Sequence, residues 1–250
     1  MRLTIVGCAG SYPNATSAAS SYLVEHDGFR MLLDLGSGAL GPLHDYTDPC
    51  DVDAVVLSHL HPDHCLDVCA LYVARRYRPG GAARRIPVFG PRGVARRMAT
   101  AYGTEPEQGM AEVFDFAAFP PEPFVVGPFT MTAVKVRHPV AAYALRVEAD
   151  QRVLVYSGDT GPCAGLVSAA READVALFEA SFRSGDDNPP DLHLTARQAA
   201  ELAREAGAKR LILTHMVAWH DNSGALAEAA VFDHGRGGVQ LAAPGMVVEV

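Results

Sequence analysis

The sequence predicts an α/β fold, an αββα sandwich in which two mixed β-sheets face each other and helices cover the outer faces. Two observations carry this expectation. Short apolar runs bounded by Gly, Pro and Asp recur in two similar strand-rich halves, and stretches of helical periodicity flank each half. No low-complexity linker divides them, so residues 1–250 read as one domain, long enough to bury a sizeable core.

In chain order, residues 3–6, 21–25 and 29–34 read as strands, with Asp27-Gly28 as a hairpin turn, which gives an antiparallel start. Residues 35–38 form a loop, and 53–57 is a strand apolar on both faces, hence central. Residues 64–77 are spaced for a helix that buries Leu66, Cys69, Ala70, Val73 and Ala74. Arg75, Arg76 and Arg78 end it with positive charge, as the helix dipole favours, and with Arg84 and Arg85 they read as a solvated helix end. A strand at 86–89 and a helix at 91–102 follow, then strands at 113–116, 124–126, 129–136, 143–148 and 153–157. A helix near 162–172, a strand at 175–178, a helix at 195–206 and a strand at 210–213 precede a last helix and two strands. Residues 183–191, RSGDDNPPD, are the most loop-like segment and a candidate rim for an active site.

Composition narrows the class. Hydrophobic residues make up 49% and charged residues 20%, with no apolar run near the roughly 18 residues that span a bilayer. Met1-Arg2 runs straight into a strand without a signal-peptide pattern, so the expected location is the cytoplasm. The five cysteines, Cys8, Cys50, Cys65, Cys69 and Cys163, are odd in number and form no CxxC, so they read as reduced packing residues. A net charge of −8 opposes the long-range attraction on which binding of a large polyanion such as tRNA depends.

The polar residues of interest recur where strands end: His59, His61, Asp63 and His64 after one, His138 after another, Asp159 and His215 after two more. Strand ends on one sheet edge can converge on a point. Seven nitrogen and oxygen donors exceed one tetrahedral zinc and suit two metals that share a carboxylate. From an extended segment His59 and His61 can reach the same ion, while Asp63 and His64 come from the turn into the helix, stiffened by Pro62.

The run His59-Leu60-His61-Pro62-Asp63-His64 resembles the HxHxDH signature of the metallo-β-lactamase fold hydrolases. Asp34 in LLDLGSG, His138 in RHP, Asp159 in SGDT and His215 in LTH match that family's remaining motifs in order, so the resemblance covers nearly the whole chain. It implies one divalent metal held by His59, His61 and His138 and a second by Asp63, His64 and His215, bridged by Asp159 and a hydroxide. Zinc suits these ligands, with manganese or iron as alternatives. Asp34 reads either as a residue that orients a ligand histidine or as a plain turn aspartate.

A narrower resemblance is to ribonuclease Z and its phosphodiesterase relatives, carried by LFEASF at 177–182 and by the stretch from His193 into His215. It implies a catalytic pair, Glu179 and His193, beside the metals; in the mechanism expected here Asp63 doubles as acceptor of the nucleophile's proton. The residues alone would make His193 a helix-entry residue ahead of an N-cap at Thr195. Only 20 residues, filled by strands, separate His138 from Asp159, where the bacterial tRNA-processing enzymes carry a long arm. The pattern is closer to arm-less actinobacterial members proposed to act on cyclic nucleotides. The expected function is therefore hydrolysis of a small-molecule phosphodiester by a metal-bridging hydroxide, with tRNA disfavoured and no membrane partner. An acyl hydrolase of lactonase or thioesterase type, or a non-catalytic metal-binding accessory protein, is the alternative. The fold family also allows a homodimer, for which the sequence marks no interface.

Trp219 and His220 follow the last ligand and could contact a base, although a solitary tryptophan is expected to be packed. Cys65 and Cys69 share a helix face and are expected to be buried, and residues 7–11 make a tight turn near the site rather than a nucleotide-binding glycine loop.

Overall fold

The computed structural model describes residues 1–105, 109–230 and 238–250. Its first half runs β1 (Arg2–Gly7), β2 (Ala9–Gly10), β3 (Ser21–His26), β4 (Phe29–Leu35), α1 (Leu40–Leu43), β5 (Ala54–Val56), α2 (Pro62–Cys65), α3 (Val68–Arg76), β6 (Ile86–Gly90), α4 (Val94–Tyr102) and β7 (Phe114–Ala118). The second runs β8 (Phe124–Val126), β9 (Phe129–Lys135), β10 (Tyr143–Ala149), β11 (Arg152–Tyr156), α5 (Ala164–Ala169), β12 (Val175–Glu179), α6 (Ala196–Glu205), β13 (Leu211–Thr214), β14 (Met216–Val217), α7 (Ala225–Ala230), β15 (Val239–Leu241) and β16 (Val247–Glu249).

Two seven-stranded mixed sheets result, ordered β16-β1-β3-β4-β5-β6-β7 and β15-β13-β12-β11-β10-β9-β8. In the first, β16, β1, β3 and β4 are antiparallel and β4 to β7 parallel; in the second, β15, β13, β12 and β11 are parallel and β11 to β8 antiparallel. Asp27 and Gly28 turn the β3–β4 hairpin with both φ angles positive, 47° and 78°, as a type I′ turn requires.

Strand periodicity fixes the layers. Along β4, Met31 and Leu33 face the other sheet while Leu32 faces the helices; along β12, Val175 and Leu177 face inward and Ala176 and Phe178 outward. Strands buried on both faces carry apolar residues at every position, which is why the central ones read as continuous apolar runs. Between the sheets lie Leu3, Ile5, Tyr22, Phe129, Leu145 and Ile212 among others. The αββα expectation is thus borne out. Among the described residues no helix is long and apolar enough to cross a membrane.

Several boundaries differ from expectation. The helix expected at 64–77 breaks into α2 and α3, because the Asp67 amide donates to the Leu35 carbonyl (3.1 Å) and the Asp67 carboxylate accepts the Leu40 amide (2.9 Å). These bonds tie the break to a distant loop. Pairing of β2 with β14, and of β16 with β1, was not anticipated.

Arg75 is not solvated. It is fully buried and donates to the carbonyls of Pro49, Cys50, Val52 and Arg84 at 2.7–3.2 Å, clamping the loop before β5. Arg78, Arg84 and Arg85 are the exposed members and Arg76 is half-buried; Arg76, Arg84 and Arg85 pair with Glu112, Asp53 and Asp115. Arg75→Met keeps the packed stem but strands buried carbonyls that otherwise accept charged hydrogen bonds. We expect it to lose about 3 kcal/mol of stability in equilibrium urea unfolding.

Candidate active site

The site forms where strands from both sheets end on one edge. The β5 strand makes its last ladder contact at Leu57, whose amide donates to Phe89. The chain then bends at Ser58 and again at His61, and Pro62 starts α2. His59 Nε2 lies 3.1 Å from His61 Nδ1, and His138, just beyond β9, places its Nε2 3.2 Å from the same atom. The first turn of α2 presents Asp63 and His64 on the other side. His64 Nε2 is 3.0 Å from His215 Nε2, which is 3.1 Å from Asp63 Oδ2.

Asp159, three residues past β11, stands between the groups. Its Oδ2 is 3.6 Å from His59 Nε2, and its Oδ1 is 3.2 Å from His64 Nε2 and 3.5 Å from His215 Nε2. All seven expected ligands therefore meet in two four-donor groups that share Asp159, each with its donor atoms within 4.8 Å of one another.

Two observations bear on whether divalent cations fit. Asp159 Oδ1 is buried and makes no hydrogen bond among the described residues, despite its two imidazole neighbours. An orphaned carboxylate oxygen in such a place is costly without a cation. Secondly, zinc–nitrogen bonds of 2.0–2.1 Å in a tetrahedron separate the nitrogens by roughly 3.3 Å, close to the 3.1 and 3.2 Å spacings of His59, His61 and His138. The residues fit the metals.

Four imidazoles are oriented from behind. His59 Nδ1 meets Ser58 Oγ (3.1 Å), His64 Nδ1 meets Asp34 Oδ2 (2.7 Å), His138 Nδ1 donates to the Leu192 carbonyl (3.0 Å), and His215 Nδ1 meets Ser181 Oγ (2.8 Å). Fixing one ring nitrogen turns the Nε2 of each ring inward. Asp34 is accordingly an orienting residue rather than a plain turn aspartate.

Burial pushes the pKa of His59 well down and those of His61 and His138 down, which keeps these rings neutral and their lone pairs free. Burial also opposes charge on His64, but Asp159 and Asp34 override it and hold His64 well above the usual range. Asp63 and Asp159 stay below the ordinary carboxylate range: burial would raise them, and the surrounding histidines win.

Two site residues with side chains occupy left-handed backbone, Asp34 at φ 57° and His215 at φ 58°. Each conformation costs on the order of 1–3 kcal/mol and persists because the surrounding contacts over-determine it. Gly10 permits the His215 placement, since a Cβ there would lie 2.3 Å from the His215 carbonyl oxygen.

Beside the donor groups, Glu179 is fully buried at the end of β12 and its Oε1 lies 2.8 Å from His193 Nδ1. Glu179 also accepts amides from Thr160, Ser181 and Leu194 at 2.9–3.3 Å. Burial alone would depress His193, yet the adjacent glutamate pushes it up to about 9. His193 lines a cleft of about 360 Å³ with Ser11, Ser181, Phe182, Trp219 and His220.

Sequence reasoning missed Ser58, Ser181 and Tyr156, whose hydroxyl donates 2.8 Å to Asp34. Each sits one to three residues from a singled-out residue, which is the only signal they carried. The expectation for Trp219 fails: it is 59% exposed, in the turn that follows β14. Cys65 is buried and Cys69 partly so. Residues 7–11 do pass beside the site, as the β2 strand against β14.

With this geometry, Asp159→Ala should lower bound metal below half of the wild-type content by elemental analysis, since it removes a donor from both groups. His61→Ala should leave mainly the Asp63, His64 and His215 group loaded. Wild-type metal content in Asp159→Ala would contradict the shared-carboxylate arrangement.

A family model described as a β-lactamase superfamily domain matches residues 30–216. An uncharacterized protein of Mycobacterium tuberculosis is 39% identical over 240 residues, 93% of this chain and 87% of its own length. Ribonuclease Z of Myxococcus xanthus is 28% identical over 309 residues, with 100% of this chain and 98% of that one covered. The crystal structure of the metallo-β-lactamase fold protein YhfI from Bacillus subtilis superposes with a TM-score of 0.88 at 30% identity, covering 100% of this chain and 99% of that one. The clustered donors, the two-sheet architecture and these matches together establish that the chain belongs to the β-lactamase superfamily, as one of its metallo-hydrolases.

Proposed function

We propose that the protein is a phosphodiesterase acting on a small phosphodiester, a cyclic nucleotide or a compound of that size. The observation that carries this reading is the 2.8 Å contact between Glu179 Oε1 and His193 Nδ1 at the edge of the donor cluster. Attack on phosphorus expels an alkoxide, which is a poor leaving group unless it is protonated as it departs. Glu179 anchors Nδ1 and holds the ring protonated, so Nε2–H is free to donate to the leaving oxygen.

His59, His61, His138 and Asp159 would hold one divalent metal, and Asp63, His64, His215 and Asp159 a second, with zinc the best match to these donors. When bound, the metals supply positive charge at the phosphoryl oxygens and make an attacking water acidic at neutral pH. Asp63 Oδ2 lies 3.1 Å from His215 Nε2, and its carboxylate, kept ionised, is placed to take the proton that the attacking water loses.

Size selection favours a small substrate. Between His138 and Asp159 the chain spends its residues on β10 and β11, an antiparallel pair within the second sheet, and raises no projecting arm there. The match to ribonuclease Z extends over 309 positions, more than the 250 residues of this chain, so that enzyme carries segments with no counterpart here. Asp186 and Asp187 on the cleft rim, and the net charge of −8, also oppose a polyanion. The unpaired state of Cys8, Cys50, Cys65, Cys69 and Cys163 fits the reducing cytoplasm.

Parallel metal-supplemented assays on bis(p-nitrophenyl) phosphate and p-nitrophenyl acetate test the reading. The diester should be turned over with the higher kcat/KM, and a chelator should abolish that turnover. Preference for the acetate would instead favour an acyl hydrolase. His193→Ala should retain wild-type metal content while kcat on a 3′,5′-cyclic nucleotide, whose leaving group is an alkoxide, falls about 100-fold; loss of metal in this variant would mean that His193 is a ligand.

A further inference from the structure

The cleft that His193 faces extends away from the donor cluster to a wall that the mechanism leaves unused. Trp219 is 59% exposed, and its indole lies 5.2 Å from the ring of Tyr12, itself 41% exposed, with 32° between the planes. An aromatic pair left open at the mouth of a cleft is unusual for a residue type whose large apolar faces are otherwise covered. His220, whose ring stands 6.0 Å from the indole at 78°, lines the same cleft. Its Nδ1 is buried and has no hydrogen-bond partner among the described residues. A ring nitrogen shut away from water and left unpaired is a place where a ligand atom belongs.

We propose that Trp219, backed by Tyr12, is the specificity-determining surface on which the nucleobase of a nucleoside phosphodiester stacks, with His220 Nδ1 hydrogen-bonding to the base; this rests on the phosphodiesterase reading above. Three features select a base over other occupants. An aromatic face stacks on the π-face of every base. An aliphatic acyl chain would leave His220 Nδ1 unpaired. A second phosphate would meet Asp186 and Asp187, which line the same cleft. The cleft's volume of about 360 Å³ falls within the range of small-ligand sites. Because Ser181 and His193 line the cleft that also contains Trp219, a ligand with its phosphate at the donor cluster extends its ring toward the indole.

The chain contains a single tryptophan, so indole fluorescence reports on Trp219 alone. Titrating the metal-loaded protein with AMP should quench that emission saturably, while ribose 5-phosphate, which lacks the base, should bind at least tenfold more weakly. Tyr12→Ala should weaken AMP binding several-fold. Absence of quenching by AMP, or equal quenching by ribose 5-phosphate, overturns the proposal.

Kinetics separates this proposal from the reading it rests on. Thymidine 5′-(p-nitrophenyl phosphate) and methyl p-nitrophenyl phosphate share a leaving group and differ in the nucleoside. Wild type should favour the thymidine ester about tenfold or more in kcat/KM. Trp219→Ala should lower that preference about tenfold, chiefly through KM, and Trp219→Phe should recover part of it. Hydrolysis of both esters at equal kcat/KM overturns the base site and leaves the phosphodiesterase reading intact. Saturable quenching by AMP with neither ester hydrolysed supports the base site and overturns the phosphodiesterase reading.

Discussion

At the site edge, strand ends of the two sheets are tied together by one fully buried carboxylate, that of Asp34. It accepts the Ser58 amide and hydroxyl at 2.7 Å each and the Tyr156 hydroxyl at 2.8 Å, and it lies 2.7 Å from His64 Nδ1. Asp34 and Ser58 belong to the first sheet's strand ends, Tyr156 to the second sheet. A charge removed from water is destabilising by several kcal/mol unless hydrogen bonds replace the lost hydration, and here four partners do so. The same bonds hold the segment that enters the HxHxDH run and orient His64. They also tie that run to Tyr156, three residues before Asp159, so the donor groups from the two sheets converge. Asp34 itself sits in strained backbone, at φ 57°, a conformation that these bonds sustain.

Glu179 plays the corresponding part at the end of β12. Its carboxylate gathers the amides of Thr160, Ser181 and Leu194 and raises the pKa of His193. Ser181, fixed by that amide bond, in turn meets His215 Nδ1 at 2.8 Å. His215 and His193, the proposed ligand and the proposed leaving-group acid, are therefore positioned from one buried carboxylate. Changes at Glu179 reach the donor cluster through Ser181 as well as through His193.

The sandwich and the seven donors were legible because local rules govern them. Buried strands read as apolar runs, and the His59 to His61 segment can place two rings on one point wherever it lies in a fold. Tyr156 and Ser181 were not legible, since a hydroxyl near a strand end has no distinguishing pattern and its partner is chosen by tertiary register. Arg75 looked solvated because a cationic helix end usually is; the carbonyls of Pro49, Cys50 and Val52 that enclose it come from a loop 23 to 26 residues earlier. The break between α2 and α3 has the same origin, in bonds from Asp67 to Leu35 and Leu40. Trp219 was expected to be packed on composition alone, whereas it lies exposed in the turn that follows β14.

The most direct test of the claim that His193 protonates a departing alkoxide is the dependence of kcat/KM on leaving-group pKa across a series of aryl and alkyl phosphodiesters. The wild type should show a shallow dependence and His193→Ala a markedly steeper one, with the two lines converging at the most acidic leaving groups. Parallel lines, displaced by a constant factor, would contradict it and would mean that His193 acts elsewhere than at the leaving oxygen.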